Sequence, residues 1–443
     1  MRRVEGVAEG RRFLSKRRNF LDSELPESIQ TSILRIFGKE LSAIGVAEQI
    51  ISSVKSSGDD ALRHVSEQID GVPLEFIEVC RSDIDDAADQ LELATLEALQ
   101  VAASRIQAFQ LRGRPESWYD DATNLGERVT PIGRVGIYVP AGTAPLASTV
   151  LMTAIPAKVA GVDDLVLCSP ASGGELPHPA ILTAAKIAGV DRVFKVGGAQ
   201  AIAAMAYGTE TIPAVDLICG PGNVFVTAAK KLVFGDVGLD GIFGPTETLI
   251  IGDDTANAEF CAADLIAQAE HDILAMPVLI TTSVKLADAI DTSLETQLAE
   301  RNRASVARQA IDSNGAAIVV ATPQDAVELA NLMAPEHLCL TVHDDEQYLA
   351  GINSAGGIFV GDYSAEVLGD YVAGPSHVMP TSGTARFSSA LSVRTFLKHT
   401  PIVEIDSRKM IEIGRHAAEL ARLEGLDGHA EAAEIRLREL VGE

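Results

Sequence analysis

From Pro131 onward the chain repeats one unit: a short β-branched run, a glycine turn, then an Ala-rich helical stretch. Strand-like runs fall at 135–139, 165–168, 192–196, 217–219 and 249–251. The stretches between them, at about 146–160, 179–188, 199–207 and 223–233, carry helical spacing. Parallel neighbours must start from the same end of a sheet, so each pair needs a crossover; this alternation predicts βαβ units around a parallel sheet. A second series follows, with a helix at about 256–269 and apolar runs at 277–281, 316–320, 338–341 and 357–360. The expected fold class is therefore α/β with two lobes. No tandem repeat or low-complexity segment is visible, although two such lobes are compatible with an ancient duplication.

The flanks read as helical. From Ser82, the residues Ala88, Leu91, Leu99, Ala102, Ile106 and Phe109 recur near helical spacing, Ser82 and Asp85 resemble a capping box, and Gly113 with Pro115 stops the helix. The tail from Arg408 carries an apolar stripe of Ile411, Ala418 and 420–423, broken at 425–428, and predicts a segment that packs on a neighbour. The longest uncharged run, 135–157, has the length of a membrane span, but Gly136, Pro140, Gly142, Pro145 and Pro156 divide it into strand, loop and helix. Arg2, Arg3, Arg11 and Arg12 are mixed with acids and precede no apolar core, so no export signal is expected.

A length of 443 residues implies about two to three domains. Lys and Arg number 36 against 62 Asp and Glu, and a net charge of −26 repels phosphate backbones and anionic lipid, which argues against nucleic acid or membrane as a partner. Five cysteines, Cys80, Cys168, Cys219, Cys261 and Cys339, form an odd set without a CxxC pair, which suits a reducing compartment and predicts a cytoplasmic protein.

Nine histidines are few enough for their company to be informative. Gln268 and His271, three apart on a predicted helix, would share a face and could grip one ion. Glu336 and His337 stand at the entrance to an apolar strand and offer two bases of different strength. Asp370 and His377 lie in a Gly, Pro and Ser-rich stretch read as a long functional loop. Glu424 and His429 occupy the break in the helical tail, where Gly425 and Gly428 permit a sharp turn.

The dinucleotide fingerprint GxGxxG does not follow the first strand. Three other glycine loops stand between a strand and a helix: Ala141-Gly142-Thr143, Gly197-Gly198-Ala199-Gln200 and Gly220-Pro221-Gly222-Asn223. Free amides and the helix dipole favour an anion at such places, so the three together outline a binding edge.

The segments GRVGIYVPAGTAPLASTVLMTAIPAKVAGV, VGGAQAIAAMAYGTETIPAVDLICGPGN, AQAEHD, APEHL, GDYVAGPSHVMPTSGTARFSS and EGLDGH resemble the motifs of the histidinol dehydrogenase family, in the family's order. The likeness runs from roughly Ile29 to the end of the sequence. It implies two Rossmann-like lobes in an intertwined homodimer. The implied division is a helical arm at 1–32, a discontinuous lobe at 33–137 and 246–391, an NAD lobe at 138–245 and a tail at 392–443 that completes the partner's site. The implied cofactors are one zinc per subunit, held by Gln268, His271, Asp370 and His429, and NAD, contacted by Tyr138, Gln200 and Asn223. Glu336 and His337 are the implied catalytic pair. The implied substrate contacts are Thr246, His377 and Glu424, together with Gln268, His271, Glu336, Asp370 and His429.

The reaction implied is oxidation of L-histidinol through the aldehyde to L-histidine, the last step of histidine biosynthesis, with two NAD and one water consumed. His337 would take the hydroxyl proton as an imidazole titrating near neutrality, and Glu336 would activate water. Phe243 is bulkier than the small residue common before this Gly-Pro motif, Thr246 replaces a usual Ser, and Ser376 replaces a usual Asn. Other readings are a relative acting on a different primary alcohol such as a sulfonated diol, a zinc hydrolase with Glu336 as base, and an aldehyde dehydrogenase using Cys219 or Cys339. A non-catalytic scaffold is the weakest.

Overall fold

The structure, a computed structural model, describes residues 1–15, 25–69, 71, 73–140, 145–171 and 176–442. The glycine loop at Ala141-Gly142-Thr143 lies outside the described residues. The chain divides into two compact units, Met1–Arg114 with Ile132–Phe396, and Pro115–Pro131 with Leu397–Glu443.

The first unit holds two parallel sheets. In the five-stranded sheet the spatial order is Arg192–Phe194, Asp164–Cys168, Arg134–Tyr138, Leu217–Cys219, Gly238–Leu239. In chain order that is third, second, first, fourth, fifth. The second sheet has six strands, ordered Arg2–Glu5, Ala316–Val319, Met276–Thr281, Glu247–Gly252, His337–Thr341, Gly357–Val360. Without its edge strand Arg2–Glu5, it repeats the same order. Every pairing in both sheets is parallel, as the alternating sequence requires.

Both faces of the six-stranded sheet are buried, and the strand sequences show why they read as continuous apolar runs. Leu249, Ile251, Val278 and Ile280 feed one core, while Ile250 and Leu279 point into the other. Helix boundaries follow local chemistry. Helix Ala147–Ala160 ends on Gly161 at φ +97, whose N–H donates to the Ala157 and Lys158 carbonyls. Asn223, Asn257 and Ser283 cap the helices that follow them, and Thr322 with Asp325 closes a capping box ahead of Pro323.

Two helix expectations are corrected. The single helix from Ser82 is three pieces, Arg81–Asp86, a 3-10 turn Ala87–Gln90, and Leu93–Gly113. Leu91 takes an extended backbone at the break (φ −102, ψ 148), and the Ser82 cap is not formed; Cys80 precedes the first helical residue, and its thiol bonds Asp83 at 2.9 Å. Asp370 is not in a loop but on a short helix, Glu366–Tyr371.

In the second unit, Leu397–Val403, Leu125–Pro131 and Trp118–Asp120 form an antiparallel sheet. Helices Ser407–Leu423 and Asp427–Val441 pack on each other around the expected break, where Gly425 takes φ +73. Among the described residues no helix is long and apolar enough to cross a membrane.

Candidate active site

Two neighbouring strands at the centre of the six-stranded sheet deliver the key residues at their amino ends. Thr246 immediately precedes Glu247–Gly252, and Glu336 immediately precedes His337–Thr341; the register sets His337 opposite Thr248. Glu336 is aimed by the turn before it. Ala334 ends helix Pro323–Met333 in the left-handed region at φ +51, and the Pro335 ring then fixes φ at the next residue.

The Thr246 hydroxyl lies 2.6 Å from Glu336 Oε2 and 2.8 Å from Gln268 Oε1. One hydroxyl proton cannot serve two acceptors, so either the Gln268 amide presents its nitrogen or Glu336 carries a proton. Burial pushes the Glu336 carboxyl up to about 6, with the neighbouring His337 cation and the Thr246 bond opposing that rise. The backbone N–H of Glu247 reaches the same Oε2 at 3.3 Å.

His337 is buried and its Nε2 is 3.1 Å from Asp370 Oδ1, while Phe359 lies against the ring at 5.7 Å between centroids. Its Nδ1 is buried without a hydrogen-bond partner, with Glu336 Oε2 at 3.8 Å. Burial alone would favour the neutral imidazole, but Glu336, Asp370 and Glu366 outweigh it and push His337 up to about 10. An imidazole titrating near neutrality is therefore not what these surroundings favour; they favour the imidazolium. Asp370 is held low, because the His337 hydrogen bond and charge overcome its burial.

His377 donates through Nδ1 to the Asp370 carbonyl at 2.8 Å, which leaves Nε2 to accept from the Thr149 hydroxyl at 3.0 Å. Burial holds this imidazole below its ordinary range. Thr149 belongs to helix Ala147–Ala160, so this bond ties the two sheets together at the site.

Three further carboxyls escape a reading by motif. Glu366 is fully buried one helical turn before Asp370; it accepts from Thr248 at 2.9 Å and from the Cys339 thiol at 3.2 Å, and burial raises it. Burial together with Glu366 pushes Asp264 up to about 7. Burial and repulsion from Glu336 push Glu247 up to about 8. The i,i+4 spacing of Glu366 and Asp370, and the position of Glu247 beside Thr246, were the available signals.

The zinc expectation is corrected. Among the described residues no group of three or more His, Cys, Asp or Glu side chains is placed to hold a metal ion. The local reasons are visible. Gln268 is buried and faces the Thr246 hydroxyl, and Asp370 Oδ1 is taken by His337. Helix Ala258–Ala269 stops before His271, which sits exposed in the following turn and does not share a helical face with Gln268. His429 and Glu424 belong to the second unit and are exposed there. The donor set does not fit a zinc ion, and the hydrolase reading rested on the same residues.

The cysteine-nucleophile reading also fails on its residues. Cys219 and Cys339 are buried, and desolvation raises both thiols well above their ordinary range, so neither presents a thiolate.

The five-stranded sheet has its switch in strand order between Arg134–Tyr138 and Leu217–Cys219, and the crevice beyond the carboxyl ends of such strands is where dinucleotides bind. Tyr138, Gln200 and Asn223 all lie along this edge. Tyr138 accepts the Gly198 N–H at 3.0 Å, where Gly198 takes φ +63. Gln200 is buried on helix Gly198–Tyr207. Asn223 is exposed and spends its Oδ1 on capping Phe225 and Val226, leaving its amide nitrogen for a ligand. At Gly220, with φ +110, a Cβ would stand 2.0 Å from the Tyr138 carbonyl oxygen, so only glycine allows this close approach of the two loops. These features fit a dinucleotide. Of the departures from the family pattern, Phe243 lies over Lys230 at 4.8 Å within this same lobe, and Ser376 donates to the Met152 carbonyl at 3.0 Å.

Comparison with known proteins agrees with this architecture. The family model described as histidinol dehydrogenase matches residues 39–437. Histidinol dehydrogenase of Dehalococcoides mccartyi (strain CBDB1) is 46% identical over 442 residues, covering 99% of this chain and 100% of that protein. The corresponding enzyme of Deinococcus radiodurans is 46% identical over 436 residues, covering 97% and 99%. The crystal structure of histidinol dehydrogenase from Elizabethkingia anophelis superposes with a TM-score of 0.90 at 34% identity, covering 99% of this chain and 98% of that one.

Proposed function

This chain belongs to the histidinol dehydrogenase family, and from that premise we propose that it oxidises L-histidinol to L-histidine with NAD as the hydride acceptor. The observation that carries the reading is the buried, unpartnered His337 Nδ1 facing Glu336 across 3.8 Å. A substrate oxygen set against both at hydrogen-bond distance, beside rather than between them, would meet a proton donor and a carboxylate.

The primary alcohol loses a hydride and a proton to give the aldehyde. Water adds, and the hydrate loses a second hydride and two protons to give the carboxylate, so two NAD and one water are used. Glu336 is the group able to accept a proton at neutral pH, and His337 stabilises the developing oxyanion; together they serve both oxidations and the attack of water. Thr246 holds Glu336 in place, Asp370 orients His337, and His377, Gln268 and His271 are assigned to the substrate. NAD is assigned to the edge bearing Tyr138, Gln200 and Asn223, where it supplies the acceptor for both hydrides.

The two parallel-sheet lobes are read as Rossmann-like. The active form is proposed to be an intertwined homodimer in which Glu424 and His429 of the second unit complete a sister subunit's site. The unpaired cysteines, four of them buried, support the placement in a reducing cytoplasm.

Purified chain supplied with L-histidinol and NAD is expected to form two NADH per alcohol consumed. No NADH from histidinol, while another primary alcohol in the same panel is oxidised, would transfer the substrate assignment to that alcohol; no NADH from any of them would overturn the reading.

A further inference from the structure

The five-stranded lobe contains a buried ion pair that the proposed chemistry does not use. Lys230, on helix Val224–Val233, is 2% exposed, and its Nζ lies 2.5 Å from Asp240 Oδ1, on a side chain 0% exposed. Both partners also grip the backbone of one residue. Lys230 Nζ donates to the Gly220 carbonyl at 3.0 Å, and Asp240 Oδ2 accepts the Gly220 N–H at 2.7 Å.

Gly220 ends the strand Leu217–Cys219 at the switch in strand order and opens the loop that leads to Asn223. With its N–H and its C=O both held, neither peptide unit flanking Gly220 can rotate. The held conformation is also an uncommon one, at φ +110 and in contact range of the Tyr138 carbonyl. A lysine beside a glycine loop at such an edge would ordinarily be read as a phosphate ligand. This one is sealed from solvent, with Asp240 and Gly220 as its partners and the Phe243 ring 4.8 Å away, so its charge is directed inward. Buried ion pairs contribute little net stability compared with apolar replacements of similar volume, so the pair calls for a role besides stability.

We infer that Lys230 and Asp240 form a positioning pair that presets the Gly220-to-Asn223 loop for the pyrophosphate-bearing cofactor. The pair touches no reacting atom and acts through the loop backbone. This rests on the assignment of NAD to the five-stranded lobe.

The test replaces both partners at once, Lys230→Met with Asp240→Leu, so that no lone charge is left buried. Binding of NAD is measured by calorimetry, and steady-state rates separate KM for NAD from kcat. The double variant is expected to weaken NAD binding and raise KM for NAD by about tenfold or more, with kcat at saturating NAD and KM for the alcohol changed far less. A second measurement uses the unaltered protein: amide hydrogen exchange of the peptide 217–223 should already be slow without NAD and change little on adding it. NAD binding by the wild type that is unchanged in a folded double variant overturns the pair's role alone. Fast exchange of 217–223 that slows only with NAD does the same. Failure of the wild type to bind NAD overturns the cofactor assignment, and the role built on it.

Discussion

Replacing Glu336 by Gln isolates the electrostatic coupling at the centre of the site. The amide keeps the side chain's shape and can still accept from Thr246, so the principal change is one negative charge removed 3.8 Å from His337 Nδ1. At that distance, with an effective dielectric near 20, the attraction lost is about 4 kcal/mol. That energy corresponds to about 3 pH units. Asp370 and Glu366 remain, and local relaxation softens the loss, so the His337 titration should fall by about 2 to 3 pH units, from about 10 towards neutrality. Titration of nitrogen-labelled imidazoles by NMR reads this directly in the free protein. Turnover should drop by about 10²–10⁴-fold, because the variant lacks the proton acceptor. A wild-type His337 that titrates near the ordinary 6.5, or a midpoint unmoved in the variant, would refute the coupling.

Glu247 supplies a second pH test. Its folded carboxyl titrates above its unfolded value, so the native state binds the extra proton and stability declines as pH rises from about 4.5 through about 8. Glu247→Gln should flatten that decline, measured as the difference in Tm between acid and mildly alkaline buffer; an unchanged slope counts against the assignment. Thr246→Val leaves two buried polar partners, on Gln268 and Glu336, facing a methyl and should cost about 1–3 kcal/mol in denaturant unfolding, with Thr246→Ser restoring most of it. Equal stability of the Val and Ser forms would mean that the hydroxyl bonds contribute nothing. Cys339→Ala should retain turnover within about threefold, since a buried neutral thiol is no nucleophile. Abolished turnover in a folded variant would revive the cysteine reading.

Patterning made the two sheets legible. Runs such as 165–168 and 277–281 are apolar on both faces, and only a strand covered on both sides of a sheet asks for that. Asn223 and Pro179 marked helix starts correctly because capping is decided within a few residues. The edge strand Arg2–Glu5 carried no such signal, since only Val4 is buried and its partner Ala316–Val319 lies far along the chain. The antiparallel sheet of the second unit was hidden for the same reason, as Leu125–Pro131 pairs with a distant segment and only its Gly126 is buried.

At the site, motif resemblance singled out Glu336, His337, Asp370 and His377, which the fold brings together, but it could not report their electrostatics. The rise of His337 depends on Glu336 and on Asp370 and Glu366, which reach it from a short helix beyond strand Gly357–Val360. The zinc set illustrates the opposite error. Four residues of suitable type were present in the chain, while folding committed Gln268 and Asp370 to other partners and set His271 beyond the end of its helix.

Both sheets of the first unit share one strand order, yet the acids cluster at the amino-end rim of one while the cofactor is assigned to the carboxyl-end rim of the other. In the six-stranded sheet the carboxyl-end rim, equivalent to the rim assigned to NAD in the other sheet, is tied across by Asp253, which accepts the backbone N–H groups of Thr255 and His343 at 2.9 and 2.8 Å. Helix Ala258–Ala269 starts just past that turn and returns Gln268 to Thr246, so an alteration at this rim reaches the acids at the other through one helix.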